Sequence, residues 1–431
     1  MYEWPDPHAT ATPTSTPPTD NPTSTPPTVT PTSTVTATPT ATLTALPTAT
    51  ATPTPTPGIP ANSRPDFNGD GTADILWRNI EDGTNDIWLM DGPTRITFGR
   101  LIPIPQLDRK VFGAGDFNGD GKADIFWRNL TTGANVIWAM DGTTIAQAQA
   151  LVSVSDPDQV IVGTGDFNRD GNLDLLWRNQ TTSSNTLWLL DDLRYTSLVL
   201  PARTDPRQEV AAVGDFDGDA DADILWRNTA SGAVSVWLLE DGSITTQSGL
   251  PVPPSDFAAV GAGDFDGDGT ADVLWRNQVT GQSYLWLMDE ANRTRVNLPT
   301  LPNLAHKAAG IADLNGDGTD DIVWRNTVNG SNFVWLMANA MRTAAALDAR
   351  GETAFQIVGL GVNNYDGSGE SGPAANDDIH GTEPGTALID EGPAQDEVLS
   401  DPPLADLVEG PVIEDEALMQ TRRVYLPLVL R

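Results

Sequence analysis

The chain contains no cysteine, which excludes a disulfide framework and thiolate-based zinc or redox centres and leaves the redox compartment open. Its three histidines, His8, His306 and His380, fall in regions of different character, and none belongs to a nucleophile or acid–base constellation. No apolar run reaches 18 residues, so no membrane insertion is expected. The start, Met1-Tyr2-Glu3-Trp4-Pro5, lacks the basic and apolar regions of a signal peptide. Positive charge is scarce, with 24 basic against 59 acidic residues and a net charge of −35. Such a surface repels nucleic acid and anionic lipid, so neither is expected as a partner.

What is present divides into three regions. Residues 1–57 are dominated by Thr, Pro, Ala and Ser, as in Thr12-Pro13-Thr14-Ser15-Thr16-Pro17-Pro18. So little apolar bulk cannot offset the entropy of ordering, and a disordered spacer is expected. In polyproline-II geometry the Thr/Pro tract of residues 9–57 would reach roughly 150 Å at most. Residues 58–366 hold almost all of the 13 tryptophans and are able to bury a core. Residues 367–431 are acidic and read as mostly disordered, ending in a short apolar stretch, Val424-Tyr425-Leu426-Pro427-Leu428-Val429-Leu430.

The middle region repeats. The lines Asp66-Phe67-Asn68-Gly69-Asp70-Gly71 and Asp116-Phe117-Asn118-Gly119-Asp120-Gly121 recur from Asp166, Asp215, Asp264 and Asp313, at spacings of 50, 50, 49, 49 and 49 residues. A period in this range signals a solenoid or a propeller. Within one period, Val111–Gly115, Ile125–Asn129, Val136–Met140 and Thr144–Val152 read as strands. Thr131-Thr132-Gly133 and Asp141-Gly142 supply turns. Four antiparallel strands per period make one propeller blade. No first strand precedes Asp66, while an orphan first strand, Phe355–Val362, follows the sixth repeat. The expected fold is therefore all-β, a six-bladed propeller whose C-terminal strand completes the first blade and removes the open edges.

Two tryptophans recur per repeat, from Trp77 and Trp88 to Trp324 and Trp335. Packing between blades is the favoured reading over exposed sugar-stacking platforms. Each first tryptophan is followed by Arg-Asn, from Arg78-Asn79 to Arg325-Asn326. The Asn is expected to serve the turn and the Arg to be structural rather than exposed beside a ligand.

Each acidic loop presents oxygen at positions 1, 3, 5 and 9, with a backbone carbonyl expected at position 7. The six sets are Asp66, Asn68, Asp70, Thr72 and Asp74; Asp116, Asn118, Asp120, Lys122 and Asp124; Asp166, Asn168, Asp170, Asn172 and Asp174; Asp215, Asp217, Asp219, Asp221 and Asp223; Asp264, Asp266, Asp268, Thr270 and Asp272; and Asp313, Asn315, Asp317, Thr319 and Asp321. Hard oxygen donors in a tight loop, without His or Cys, select Ca²⁺ over zinc or copper, giving about six ions, one per blade. The loop opens like an EF-hand, but Trp77 stands at position 12, and Asp at position 9 supplies the closing carboxylate. The fourth loop, with Ala220 at position 6 and Asp221 at position 7, is expected to be the weakest or most distorted site. Arg169, at position 4 of the third, is expected to lower the affinity of that loop.

The stretch from Val111 to Gly121, with Ala123-Asp124-Ile125 after it, resembles the FG-GAP/VCBS-type repeats of integrin α-subunit propellers and of many secreted bacterial and fungal proteins. The resemblance implies a propeller with calcium between the first two strands of each blade. Where integrins continue with Gly-Ala-Pro this chain has Trp-Arg-Asn, and integrin propellers have seven blades where six are counted here. The expected function is a non-catalytic recognition or adhesion module, extracellular or at the cell surface. It is expected to be a monomer binding a glycan or protein ligand, with structural calcium and no catalytic residues. A propeller scaffold without its own ligand is the alternative, and a polysaccharide lyase or hydrolase a more distant one.

Overall fold

The computed structural model describes residues 65–360, and the spacer, the acidic tail and the apolar C-terminal stretch lie outside them. Among the described residues there are 24 strands and no helix, so none that is long and apolar enough to cross a membrane. The strands form six four-stranded antiparallel sheets arranged as the blades of a ring. In the second blade β4 (Arg109–Gly115), β5 (Asp124–Asn129), β6 (Asn135–Asp141) and β7 (Thr144–Leu151) run outward in sequence order. Blades three to six repeat this over 159–200, 208–250, 257–297 and 306–347.

The first blade is made from both ends of the repeat region. Its strands β1 (Ile75–Asn79), β2 (Asn85–Asp91) and β3 (Thr94–Arg100) lack an inner partner in sequence. That partner is β24 (Phe355–Val358), paired antiparallel to β1 with Trp77 opposite Ile357 and Asn79 opposite Phe355. The predicted closure and blade count are therefore present, with the described strand ending at Val358 and Gly361 and Val362 beyond the described residues.

Burial explains why the strands differ in composition. Every residue of β5 is buried, because both faces of that strand meet a neighbouring blade. A continuous apolar run with Trp and Arg is what such a position demands. The outer strand β7 faces water along most of its length and reads Thr-Ile-Ala-Gln-Ala-Gln-Ala-Leu. All twelve repeated tryptophans are buried, and the two of each blade meet at ring-centroid distances such as 4.8 Å for Trp77–Trp88 and 5.1 Å for Trp127–Trp138. They pack; they are not platforms.

The arginine after each first tryptophan crosses to the next blade. Arg78 lies over Trp127 at 5.0 Å, Arg128 over Trp177 at 4.8 Å and Arg178 over Trp226 at 5.1 Å. Arg227 over Trp275, Arg276 over Trp324 and Arg325 over Trp77 complete the circuit at 5.5, 4.8 and 4.9 Å. The guanidinium donors are spent on its own blade and on the linker to the next. Arg128 donates to Asn135 Oδ1 (3.1 Å) and to the carbonyls of Gly133 (3.2 Å), Val154 (3.0 Å) and Gln159 (3.2 Å). Burial lowers Arg78, Arg276 and Arg325 to about 10, which still leaves them charged at neutral pH. The following Asn caps the turn as expected, Asn129 Oδ1 accepting from the Thr131 and Thr132 amides at 3.0 and 2.7 Å. The fourth blade departs, since Val234 replaces the Asn partner; there Arg227 has Glu209 as the nearby opposite charge.

Where the ring closes, a clasp lies outside the repeat. Arg350, on the linker into β24, stacks on Phe355 at 3.3 Å and pairs with the buried Asp86 of β2. Arg100 of β3 pairs with the same carboxylate at 2.9 Å. Burial pushes the Asp86 carboxyl up, but the hydrogen bonds and charges of Arg100 and Arg350 outweigh it and hold the group below the usual range.

Two outcomes are expected. Arg128→Lys cannot reproduce the fork of donors and should lower the unfolding free energy by about 2 kcal/mol in chemical denaturation of the full chain. Asp86 has a folded pKa below its unfolded value near 4, so its stabilising effect is present above about pH 4 and is lost as pH falls further. The melting-temperature gap between the native chain and Asp86→Asn should therefore be wide at pH 7 and close below about pH 3. A gap that ignores pH would refute the clasp.

Candidate metal centres

In blades two to six the acidic loop joins the first and second strands, while the first loop, residues 66–74, leads into β1, whose inner partner is β24. The position-2 side chain, Phe in five loops and Leu314 in the sixth, is fully buried. The amide at position 8 donates across the blade interface to the position-1 carbonyl of the preceding loop. These bonds are Ala123 to Asp66 (2.7 Å), Leu173 to Asp116 (2.7 Å), Ala222 to Asp166 (2.6 Å), Ala271 to Asp215 (2.5 Å), Asp320 to Asp264 (2.6 Å) and Ala73 to Asp313 (2.8 Å). They form a closed circle that ties all six loops together.

Within the first loop, Asp66 Oδ1 accepts from the Gly69 amide (2.7 Å) and Oδ2 from the Gly71 amide (2.7 Å), curling the backbone around position 1. Asn68 and Thr72 donate to Asp70 at 2.8 and 2.6 Å. Asp74 is fully buried, its Oδ2 accepting from the Phe67 amide (2.8 Å) and its Oδ1 from the Met90 amide at the end of β2 (2.9 Å). The same pair of bonds holds Asp124, Asp174, Asp223, Asp272 and Asp321. Every loop thus curls around its position-1 carboxylate and buries its position-9 carboxylate against the amides of position 2 and of the third strand.

The electrostatics are those of crowded carboxylates. Burial, opposed by the two amide bonds and reinforced by the position-1 and position-5 carboxylates, raises Asp74 and Asp124 to about 7 and Asp174 and Asp321 to about 8. Asp223 and Asp272 rise to about 9, again through burial first, and with the position-1 and position-3 carboxylates adding to it. In the fourth loop Asp215, Asp217 and Asp223 place carboxylate oxygens within 4.8 Å of one another; Asp264, Asp266 and Asp268 do so in the fifth. Buried acids of one sign favour a bound dication, and the all-oxygen donor set fits Ca²⁺.

Position 7 varies. Thr72, Thr270 and Thr319 donate both to the position-5 carboxylate and to a carbonyl of the third strand, Met90, Met288 and Met337 respectively. Asn172 donates to Asp170, and Lys122 turns away to Asp141. Asp221 instead meets Arg169 of the third loop at 3.1 Å. The expectation that Arg169 acts on its own loop missed this: the side chain reaches into the fourth. Ala220 keeps the hydrogen bond that Gly makes elsewhere, its amide donating to Asp215 Oδ2 at 2.8 Å, but in a left-handed conformation with φ 74°. The departure at position 6 is borne as backbone strain. Asp320, at position 8 of the sixth loop, escaped sequence reasoning; its buried carboxylate accepts from the Asp264 amide at 3.0 Å.

FG-GAP-like repeats are matched over residues 66–127, 116–177, 166–226 and 215–275. Among curated proteins there is no match to this sequence. Similar solved structures include a post-proline cleaving enzyme from Rickettsia typhi, 11% identical with a TM-score of 0.41, the match covering 66% of this chain and 52% of the enzyme. The β-propeller domain of Cps50 (Swd1) from Myceliophteria thermophila is 11% identical with a TM-score of 0.37, over 68% of this chain and 94% of that domain. A functionally unknown protein from Desulfotomaculum acetoxidans is 9% identical with a TM-score of 0.37, over 64% and 80%.

Left-handed backbone is strained for Ala and open to Gly, so Ala220→Gly should stabilise the protein by about 1 kcal/mol. An unchanged or lowered melting temperature for that variant would show that position 6 carries no strain.

Proposed function

We propose that this chain, whose residues 66–275 are FG-GAP-like repeats within a closed six-bladed propeller, is a calcium-stabilised recognition or adhesion module of the cell exterior, without catalytic activity. The observation that carries the calcium reading is the fully buried position-9 carboxylate of all six loops, Asp74, Asp124, Asp174, Asp223, Asp272 and Asp321. Each is crowded by acidic neighbours, and hard oxygen donors surround it. Asp66, Asp70 and Asp74, with Asn68 and the backbone at Thr72, would hold the ion in the first loop, and the matching positions in the others. Calcium there is structural: it neutralises the loops and so adds to the stability of the ring.

Ligand recognition falls to surfaces other than the repeated tryptophans, which are all buried. The ligand is a glycan or a protein, met by exposed positions that differ from blade to blade.

The test is calcium titration of the full chain together with thermal unfolding in calcium and in excess chelator. Close to six ions and a rise in melting temperature of more than about 10 °C are expected. Melting that ignores the chelator, with no ion bound, would defeat the calcium reading. With calcium established, binding to an array of glycans and to extracellular matrix proteins separates a recognition module from a bare scaffold.

A further inference from the structure

Position 4 of each loop lies against position 7 of the next. A β-carbon on Gly119 would stand 3.1 Å from Asn172 Oδ1, on Gly218 3.3 Å from Thr270, on Gly267 3.1 Å from Thr319, and on Gly316 3.4 Å from Thr72. Gly69 faces Lys122 in the same way at 3.6 Å. At the junction of the third and fourth loops both residues differ from this pattern. Arg169 stands where the others have Gly, and Asp221 where the others have Thr, Asn or Lys.

The two are partners. Arg169 Nη1 donates to the Asp219 carbonyl at 2.8 Å, and Nη2 lies 3.1 Å from Asp221 Oδ2. Asp221 is fully buried, and its Oδ1 has no hydrogen-bond partner. Its loop carries five carboxylates, Asp215, Asp217, Asp219, Asp221 and Asp223, where the first loop carries three. Unlike Thr or Asn at position 7, an ionised Asp has no proton to donate to the position-5 carboxylate. A buried acid added to an acidic loop needs a cation. Arg169 provides one from the neighbouring blade, although its own backbone sits in the left-handed region at φ 58°.

We propose that Arg169 is a resident counter-ion of the fourth loop, a latch between blades three and four that substitutes in part for bound calcium at that site alone. This rests on the calcium reading for its second half: with Arg169 removed, Asp221 is freed to join the metal, and the fourth loop becomes more dependent on calcium than in the native chain.

The experiment compares the full-length native chain with Arg169→Gly, Asp221→Thr and the double variant, by thermal unfolding and by amide exchange of residues 215–223, in excess chelator and in saturating calcium. Both substitutions restore residues used at the same positions in other loops, and glycine also relieves the positive φ. Backbone strain therefore predicts the opposite sign for Arg169→Gly. In chelator Arg169→Gly should lower the melting temperature by about 4 °C and speed exchange in the fourth loop roughly tenfold. The double variant should recover most of both losses, because the unpaired charge is gone. In calcium the defect of Arg169→Gly should shrink to less than half. Failure of Asp221→Thr to rescue in chelator would overturn the latch, and, where titration shows bound calcium, a defect of equal size with and without it would overturn the substitution for calcium. If titration of the native chain with calcium finds no bound ion, the function reading fails by itself, while the rescue in chelator still decides the Arg169–Asp221 pair.

Discussion

The hydrogen bond from the position-8 amide of one acidic loop to the position-1 carbonyl of the preceding loop is the constraint on which the rest depends. It fixes the distance between neighbouring loops and, with position 2 buried in the same interface, the placement of the loop backbone. At the other end of each blade the Arg–Trp contact does the same work with side chains. A blade held at both ends cannot rotate against its neighbour, and six identical offsets bring the last blade back to the first. The ring closes because one repeat solves the interface problem and the others copy it.

This explains what could be read in the sequence. Period, blade count, closing strand and loop positions follow from residues that recur in register, such as the Asp66 to Asp313 series and the Trp77 to Trp324 series. Departures could be seen but not interpreted. Arg169 and Asp221 stood out as separate oddities in two loops, because comparison of repeats aligns like positions, whereas the interface joins position 4 of one loop to position 7 of the next. Asp86 was invisible for a related reason. Its partners Arg100 and Arg350 come from one blade's outer strand and from the far end of the repeat region, a meeting produced only by closure.

Burial of the acidic loops makes folding and the neutralisation of their charge a single problem. The position-9 carboxylate is needed structurally, since it caps the position-2 amide and the end of the third strand at once. Neutralising it by substitution would forfeit those bonds, and leaving it charged among acidic neighbours is costly. On the proposed calcium reading, a dication would resolve the conflict by keeping the acceptors and removing the repulsion. The fourth loop shows a partial second solution, in which an arginine from the adjacent blade takes a share of the charge.

The same economy bears on where recognition can reside. The residues that make this repeat conspicuous, two tryptophans, an arginine and an acidic loop per blade, are consumed by the blade interfaces. Sixfold repetition therefore reports on how the ring stands, not on what it meets. Large apolar side chains that remain exposed, among them Ile96 and Phe98 on β3, Ile102 and Val152 on linkers and Val279 and Val328 on turns, sit at places where the blades differ from one another. Under the proposed recognition role these positions are where a ligand would tell one blade from another, so its binding would not follow the ring's symmetry even though the scaffold does.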